Sequence, residues 1–256
     1  MSILAIIPAR FASTRFPGKP LIDLGGKTMI ERVYQQVLAC PQVDKVLVAT
    51  DDKRIAAEVR RFGGEVVMTS PDCPSGTDRC AEVLSKITFK PSWVLNVQGD
   101  EPFLAPQQIG ELIGCLRESD AGIGTLARPL RDPEAIQNPN VVKVVFDARN
   151  KAMYFSRNPI PYVRQAAPPQ WPDHAQFFQH IGLYGFKADV LPVLSALPPG
   201  SLEMAESLEQ LRWLQAGFSV QVGLSQYESL GIDSPDDLPK AMQWLKNEAG
   251  NSVPDA

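Results

Sequence analysis

Histidine and cysteine are scarce in this chain of 256 residues, with only His174 and His180 of the first and four of the second. Cys40, Cys73, Cys80 and Cys115 form no Cys-x-x-Cys pair, which argues against a structural zinc site and a dithiol redox motif. Free thiols in a reducing compartment are the expectation. Long apolar runs are missing too. The opening run, residues 3–7, is too short for a signal peptide and meets Pro8, and nothing approaches the roughly 20 residues of a membrane span. Neither charge sign dominates: 25 basic against 29 acidic side chains leave a net charge of −4. That balance excludes a general polyanion-binding or membrane-binding surface. The composition therefore predicts a soluble, cytoplasmic protein with no nucleic-acid or membrane partner, acting on small molecules through a local basic site.

Familiar phosphate and nucleophile motifs are absent as well. No Gly-x4-Gly-Lys-Ser/Thr loop, no Gly-x-Gly-x-x-Gly turn after the first strand and no Gly-x-Ser-x-Gly elbow occurs. What stands after the first strand is IIPARFASTRFPGKP, residues 6–20. Arg10, Arg15 and Lys19 fall within ten residues, spaced by small side chains, with Pro17-Gly18 just ahead of Lys19. A triphosphate rewards such convergence, because guanidinium forks and an ammonium match its charges and glycine lets backbone approach. The loop also lies beyond the carboxyl end of a strand, where open α/β sheets bind ligands.

The first half alternates short apolar strands with helical periodicity. Strands are expected at 4–7, 46–49, 66–68 and 93–97, and helices from Thr28 to about Cys40, around Ile55, Val59 and Phe62, and over 81–87. Strands separated by helices of this length imply right-handed crossovers and a mostly parallel sheet. In the second half the strand candidates at 125–127, 141–146 and 181–186 lack clear helical crossovers, and 159–172 is proline-rich and expected to be extended or looped. A helix over about 207–216, a strand at 220–222 and a terminal helix opening at Asp233-Ser234-Pro235 complete the pattern. The predicted class is α/β, Rossmann-like and mostly parallel, with a smaller mixed sheet. The whole chain, 1–256, reads as one domain, with a nucleotide half of about 1–120 and a half of about 121–250 that builds an acceptor site.

Several polar groups could carry chemistry. Asp100, beside Glu101 at the end of a strand, is placed to hold magnesium against a phosphate, or simply to make a Gly-Asp turn. Asp233 is a second carboxylate that serves equally as a helix cap. Residues 75–79, Ser-Gly-Thr-Asp-Arg, either read a base or ribose edge or cap a helix. Arg157, Arg164, His180, Glu209 and Gln210 form a looser polar group in the second half.

In this order, IIPARFASTRFPGKPL, VATDD, GGEVVMTSPDCPSGTDR, NVQGDEP, NPNVVKVV, YFSRNPIP, QHIGLYGF, ESLEQLRWL and GIDSPDDL resemble the 3-deoxy-manno-octulosonate cytidylyltransferase family along nearly the whole chain. The Phe-Pro-Gly-Lys-Pro continuation of the first loop is similar to that branch rather than to the sialic acid synthetases. The resemblance implies a nucleotidyltransferase of the nucleotide-diphospho-sugar transferase type, a homodimer using CTP, the sugar acid Kdo and Mg2+, with sugar binding and dimerisation in the half of about 121–250. Arg10, Arg15 and Lys19 would hold the triphosphate, with Pro8, Ala9, Ser13 and Thr14 around it. Ser75, Thr77, Arg79 and Gln98 would recognise cytidine, and Asp100 and Asp233 would bind magnesium. Arg157, Arg164, His180, Tyr184, Glu209 and Gln210 would line the sugar pocket. Residues 165–178 depart from the family pattern and 202–205 match it loosely, which leaves part of the sugar pocket, and a choice such as Kdo against an 8-amino relative, open.

Overall fold

A computed structural model describes residues 1–12 and 16–251. Ser13, Thr14 and Arg15 therefore lie outside the described residues. The chain divides into two units: Met1–Pro91 with Asn96–Pro106 and Glu228–Ala256, and Ser92–Leu95 with Gln107–Tyr227. Among the described residues no helix is long and apolar enough to cross a membrane.

The first unit is built on three parallel strands in the order β3-β2-β1: β1 (Ile3–Pro8), β2 (Lys45–Thr50) and β3 (Val66–Met68). Five successive residues of β1, from Ile3 to Ile7, are fully buried, the mark of a parallel strand covered on both faces. The helices between these strands begin where the sequence supplies a cap. Thr28 accepts from the Glu31 amide ahead of Met29–Leu38, and Asp52 accepts from the Arg54 amide ahead of Lys53–Arg61. Helix Gly76–Lys86 starts five residues earlier than its apolar periodicity suggests. Ser75 and Asp78 form a reciprocal capping box that satisfies the first amides and lets polar residues open the helix.

The terminal helix Leu238–Asn251 belongs to this unit. Its Ala241, Trp244 and Leu245 pack with Leu24, Met29, Phe103 and Ile232. At its approach the Asp237 carboxylate accepts from the backbone amides of both Asp233 and Ser234, each at 2.9 Å, around the single turn Pro235–Asp237. Closure of this apolar cluster brings residues 232–233 back to a loop some two hundred positions earlier in the chain.

The second unit holds β4 (Trp93–Asn96, all but its last residue), β5 (Ile123–Leu130), β6 (Lys143–Phe146), β7 (Ala152–Ser156), β8 (Phe177–Lys187) and β9 (Val220–Leu224). Its strand order is β4-β8-β5-β9, with the β6-β7 hairpin paired to β8. β5 runs antiparallel to β8 and parallel to β9, and the β5-β8 register shifts between Thr125 and Leu126.

Three expectations change here. Helix Pro106–Glu118 was not foreseen, although Ile109, Leu112, Ile113 and Leu116 give it a buried stripe at helical spacing. The helix expected over 207–216 is two pieces, Ser201–Glu206 and Gln210–Gln215. Ser207 breaks them with a left-handed backbone at φ 51°. The proline-rich stretch contains a turn at Pro168–Gln170 and the short helix Trp171–His174, anchored where buried Trp171 packs with Leu130, Val163 and Phe177.

Candidate active site

In the first unit the carboxyl end of β1 opens onto a cavity of about 220 Å³. Pro8, Ala9 and Arg10 form one wall, Lys19 and Asp100 another, and Ser75, Gly76, Arg79 and Gln98 the third. Two glycines shape it. Gly18 has a left-handed backbone, φ 74°, and its amide donates to the Phe11 carbonyl at the loop entry, 3.0 Å away. Gly99 lies so close to β1 that a Cβ there would sit 2.7 Å from the Pro8 carbonyl oxygen. The loop entry is braced by Arg54, whose guanidinium lies 3.3 Å over the Phe11 ring.

Lys19 is buried, and its ammonium donates to Asp100 Oδ2 at 2.7 Å and to the Ile232 carbonyl at 2.8 Å. Asp233 Oδ1 lies 3.7 Å from the same nitrogen. Burial, and then the Asp100 carboxylate, push Glu101 up to about 7, and its Oε2 has no hydrogen-bond partner among the described residues. Two carboxylates thus face one ammonium, with the Glu101 carboxyl near Asp100, and the excess of hard oxygen donors is the setting a divalent cation fits. Among the described residues no three His, Cys, Asp or Glu side chains group to hold a metal alone. Two carboxylates with water and phosphate oxygens suit magnesium, which keeps much of its hydration.

Ser75 and Arg79 do two things at once. Ser75 caps its helix, so the capping explanation holds, yet it also faces the cavity. Arg79 is buried, donates to Thr69 Oγ1 and lies 3.3 Å from Asp51 Oδ1, which fixes its guanidinium in the wall. Thr77 is buried in the first turn of the same helix. Cys73 also faces the cavity, but burial, and then its hydrogen bond to Glu82, push the thiol up to about 11. It presents no thiolate nucleophile at neutral pH. Arg10 is exposed and makes no ion pair with any described residue.

The residues expected around a sugar lie in the second unit. His180 and Tyr184 share β8 with ring centroids 5.3 Å apart, and Tyr184 stands edge-on to Trp213 at 5.2 Å. Burial pushes the Tyr184 hydroxyl well above its ordinary range and His180 down to about 3, so both are neutral. A neutral imidazole brings no positive charge to a carboxylate. Arg157 donates its guanidinium nitrogens to the carbonyls of Glu206, Pro139 and Ser207, at 2.7, 3.1 and 3.3 Å. It braces the loop and leaves little to offer a ligand. Arg164 is exposed, with no ion pair among the described residues. Glu209 begins helix Gln210–Gln215, and Gln210 is buried in its first turn.

Sequence reasoning did not single out Thr69 or Asp51 behind Arg79, the Ile232 carbonyl behind Lys19, or Thr125 behind His180. A backbone carbonyl carries no sequence signal, and a threonine in a strand reads as ordinary β propensity.

A cation-lined cavity at a strand's carboxyl end, with paired carboxylates on its lysine, defines an α/β nucleotidyltransferase. Residues 4–222 match the model of the Cytidylyltransferase family. The 3-deoxy-manno-octulosonate cytidylyltransferase of Cytophaga hutchinsonii is 53% identical over 93% of this chain and 95% of its own length, and that of Parabacteroides distasonis 49% identical over 96% and 99%. A solved structure of CMP:2-keto-3-deoxy-manno-octonic acid synthetase complexed with CTP superposes with a TM-score of 0.89 at 40% identity, covering 97% of this chain and all of that one. The chain belongs to the 3-deoxy-manno-octulosonate cytidylyltransferase family. A 4-diphosphocytidyl-2C-methyl-D-erythritol synthase from Anaerococcus prevotii, 17% identical with a TM-score of 0.62, shares the fold.

Proposed function

We propose that the protein transfers the cytidylyl group of CTP to Kdo, giving CMP-Kdo and pyrophosphate for lipopolysaccharide biosynthesis. The observation that carries this reading is the Lys19 ammonium held by Asp100 at the mouth of the strand-end cavity. The anomeric 2-hydroxyl oxygen of the sugar bonds to the α-phosphorus as the bridge to the β-phosphate breaks. Pyrophosphate leaves, and the hydroxyl proton passes to solvent. Lys19, fixed by three oxygens, offsets charge developing at the α-phosphate without reorganising. Arg10 and Arg15 hold the outer phosphates, and Pro8, Ala9, Ser13 and Thr14 contribute polar or backbone contacts to them. Ser75, Thr77, Arg79 and Gln98 recognise the nucleoside. Asp100 and Asp233 would hold magnesium, which when bound neutralises phosphate charge and lowers the pKa of the attacking hydroxyl.

On the sugar side, Arg164 supplies the cation for the carboxylate. Tyr184, Glu209, Gln210 and neutral His180 meet hydroxyls, while Arg157 shapes the pocket through its carbonyl contacts. The same reading makes the protein a cytoplasmic homodimer, which light scattering would check. A coupled pyrophosphate assay with CTP, UTP and GTP against a panel of 2-keto sugar acids tests the function. CTP with Kdo should turn over fastest. Preference for UTP, or for sialic acid over Kdo, would overturn the proposal.

A further inference from the structure

Where β5 shifts register against β8, Thr125 is completely buried, and its hydroxyl meets three polar atoms at once. Oγ1 lies 2.9 Å from the Leu183 carbonyl, 3.1 Å from the Ile181 carbonyl and 3.0 Å from His180 Nε2. A hydroxyl has one proton to give. Were it given to Nε2, two carbonyl oxygens would face hydroxyl lone pairs at hydrogen-bond distance with nothing between them. Giving it to a carbonyl leaves Oγ1 as an acceptor, and the histidine must then be the donor. The ring is enclosed edge-on by Phe155 at 5.0 Å and tilted on Tyr184, and burial holds it neutral, so it carries one proton rather than two. With that proton on Nε2, Nδ1 keeps its lone pair, and it makes no hydrogen bond to any described residue.

We propose that Thr125 is a positioning residue that locks His180 as the Nε2–H tautomer, so that Nδ1 is presented to the sugar acid as a hydrogen-bond acceptor for a hydroxyl. This rests on the reading that the second unit takes a sugar acid, and it refines it. A neutral acceptor repels a carboxylate and selects a donor, which assigns His180 to the sugar's hydroxyls and leaves its carboxylate to a cation. Sequence gives no hint of it, because a threonine and a histidine 55 positions apart meet only through the bulge.

The test uses the full-length protein labelled with 15N-histidine. With only two histidines present, a His174→Gln variant assigns the spectrum. His180 should show one protonated-type and one lone-pair-type ring nitrogen, with couplings that identify the protonated one as Nε2. Addition of Kdo should shift the Nδ1 resonance. Thr125→Val, close in shape but without the hydroxyl, should mix the tautomers and raise KM for Kdo roughly 10-fold, the effect of one lost neutral hydrogen bond, with KM for CTP unchanged. Thr125→Ser should restore both. A wild-type ring protonated on Nδ1, or on both nitrogens, overturns the proposal whatever the variants do. An Nδ1 resonance unmoved by a sugar acid that is turned over overturns the acceptor role. If Kdo is not a substrate, the functional reading falls, and the acceptor role assigned to Nδ1 falls with it. The wild-type spectrum still decides the tautomer.

Discussion

Replacing Lys19 by methionine keeps the length and apolar bulk of the stem and removes one charge. In the structure that charge is met by Asp100 at 2.7 Å, the Ile232 carbonyl at 2.8 Å and Asp233 at 3.7 Å, with Lys19 itself only 9% exposed. A preorganised donor in such a setting acts mainly in the transition state, and losing one costs about 10²–10³ in kcat, or roughly 3–4 kcal/mol. Stability should change much less. The side chains of Asp100 and Asp233 are 36% and 63% exposed, so water takes over much of what the ammonium did. The expected loss is about 1–2 kcal/mol, well below that of a fully buried pair. Lys19→Arg should not rescue turnover, since a planar fork cannot occupy the point where three oxygens converge. Pyrophosphate release at saturating CTP and Kdo, with thermal unfolding beside it, separates the two effects. Turnover within threefold of wild type in a folded Lys19→Met protein would refute the electrostatic role. A protein that no longer folds would refute the partition between catalysis and stability.

Asp233→Asn should raise the magnesium concentration needed for half-maximal activity about tenfold. It should leave the melting temperature nearly unchanged, because Ser234 and Asp237 make the helix cap; an unchanged metal titration would count against the ligand role. Gly99→Ala, whose Cβ would lie 2.7 Å from the Pro8 carbonyl, should destabilise by about 1–3 kcal/mol, read as a lower urea midpoint at constant slope. His180 gives a pH signature. The unfolded ring binds a proton near pH 6.5, whereas the folded ring refuses it until about 3. Its contribution is therefore complete above pH 6.5 and is lost as pH falls toward 3, by up to about 1.4 kcal/mol per pH unit. Urea unfolding at pH 7.5 and 5.0 should show a steeper loss in wild type than in His180→Gln, and parallel losses would contradict the neutral ring. Cys73, held near pKa 11, should react slowly with iodoacetamide at pH 8, which mass spectrometry of the peptide would follow.

The first unit was readable from sequence because its signals are local. An apolar run of residues buried on both faces marks β1, and Thr28, Asp52 and Ser75 mark helix starts by chemistry that acts within three residues. The cationic loop after β1 was read from charge spacing, and the structure sets its Arg10 and Lys19 on the strand-end cavity. The second unit was harder. β8 was foreseen only over 181–186 of its eleven residues, since 177–180 are polar or aromatic and join the sheet through pairing with β5. The hairpin strand β7 was missed because Ala152–Ser156 acquires its strand character from β6 across a turn at Asn150.

Residue types and their order were enough to specify an α/β chain and a cationic loop after the first strand, for these depend on side-chain chemistry and short-range periodicity. Folding alone decided which groups share a partner. It set Asp100 and the Ile232 carbonyl on one ammonium, turned Arg157 inward onto three carbonyls, and brought His180 Nε2 onto the buried Thr125 hydroxyl. Those outcomes depend on distance, dielectric and competition for hydrogen bonds between residues far apart in the chain, and none of these is defined until the backbone has closed around them.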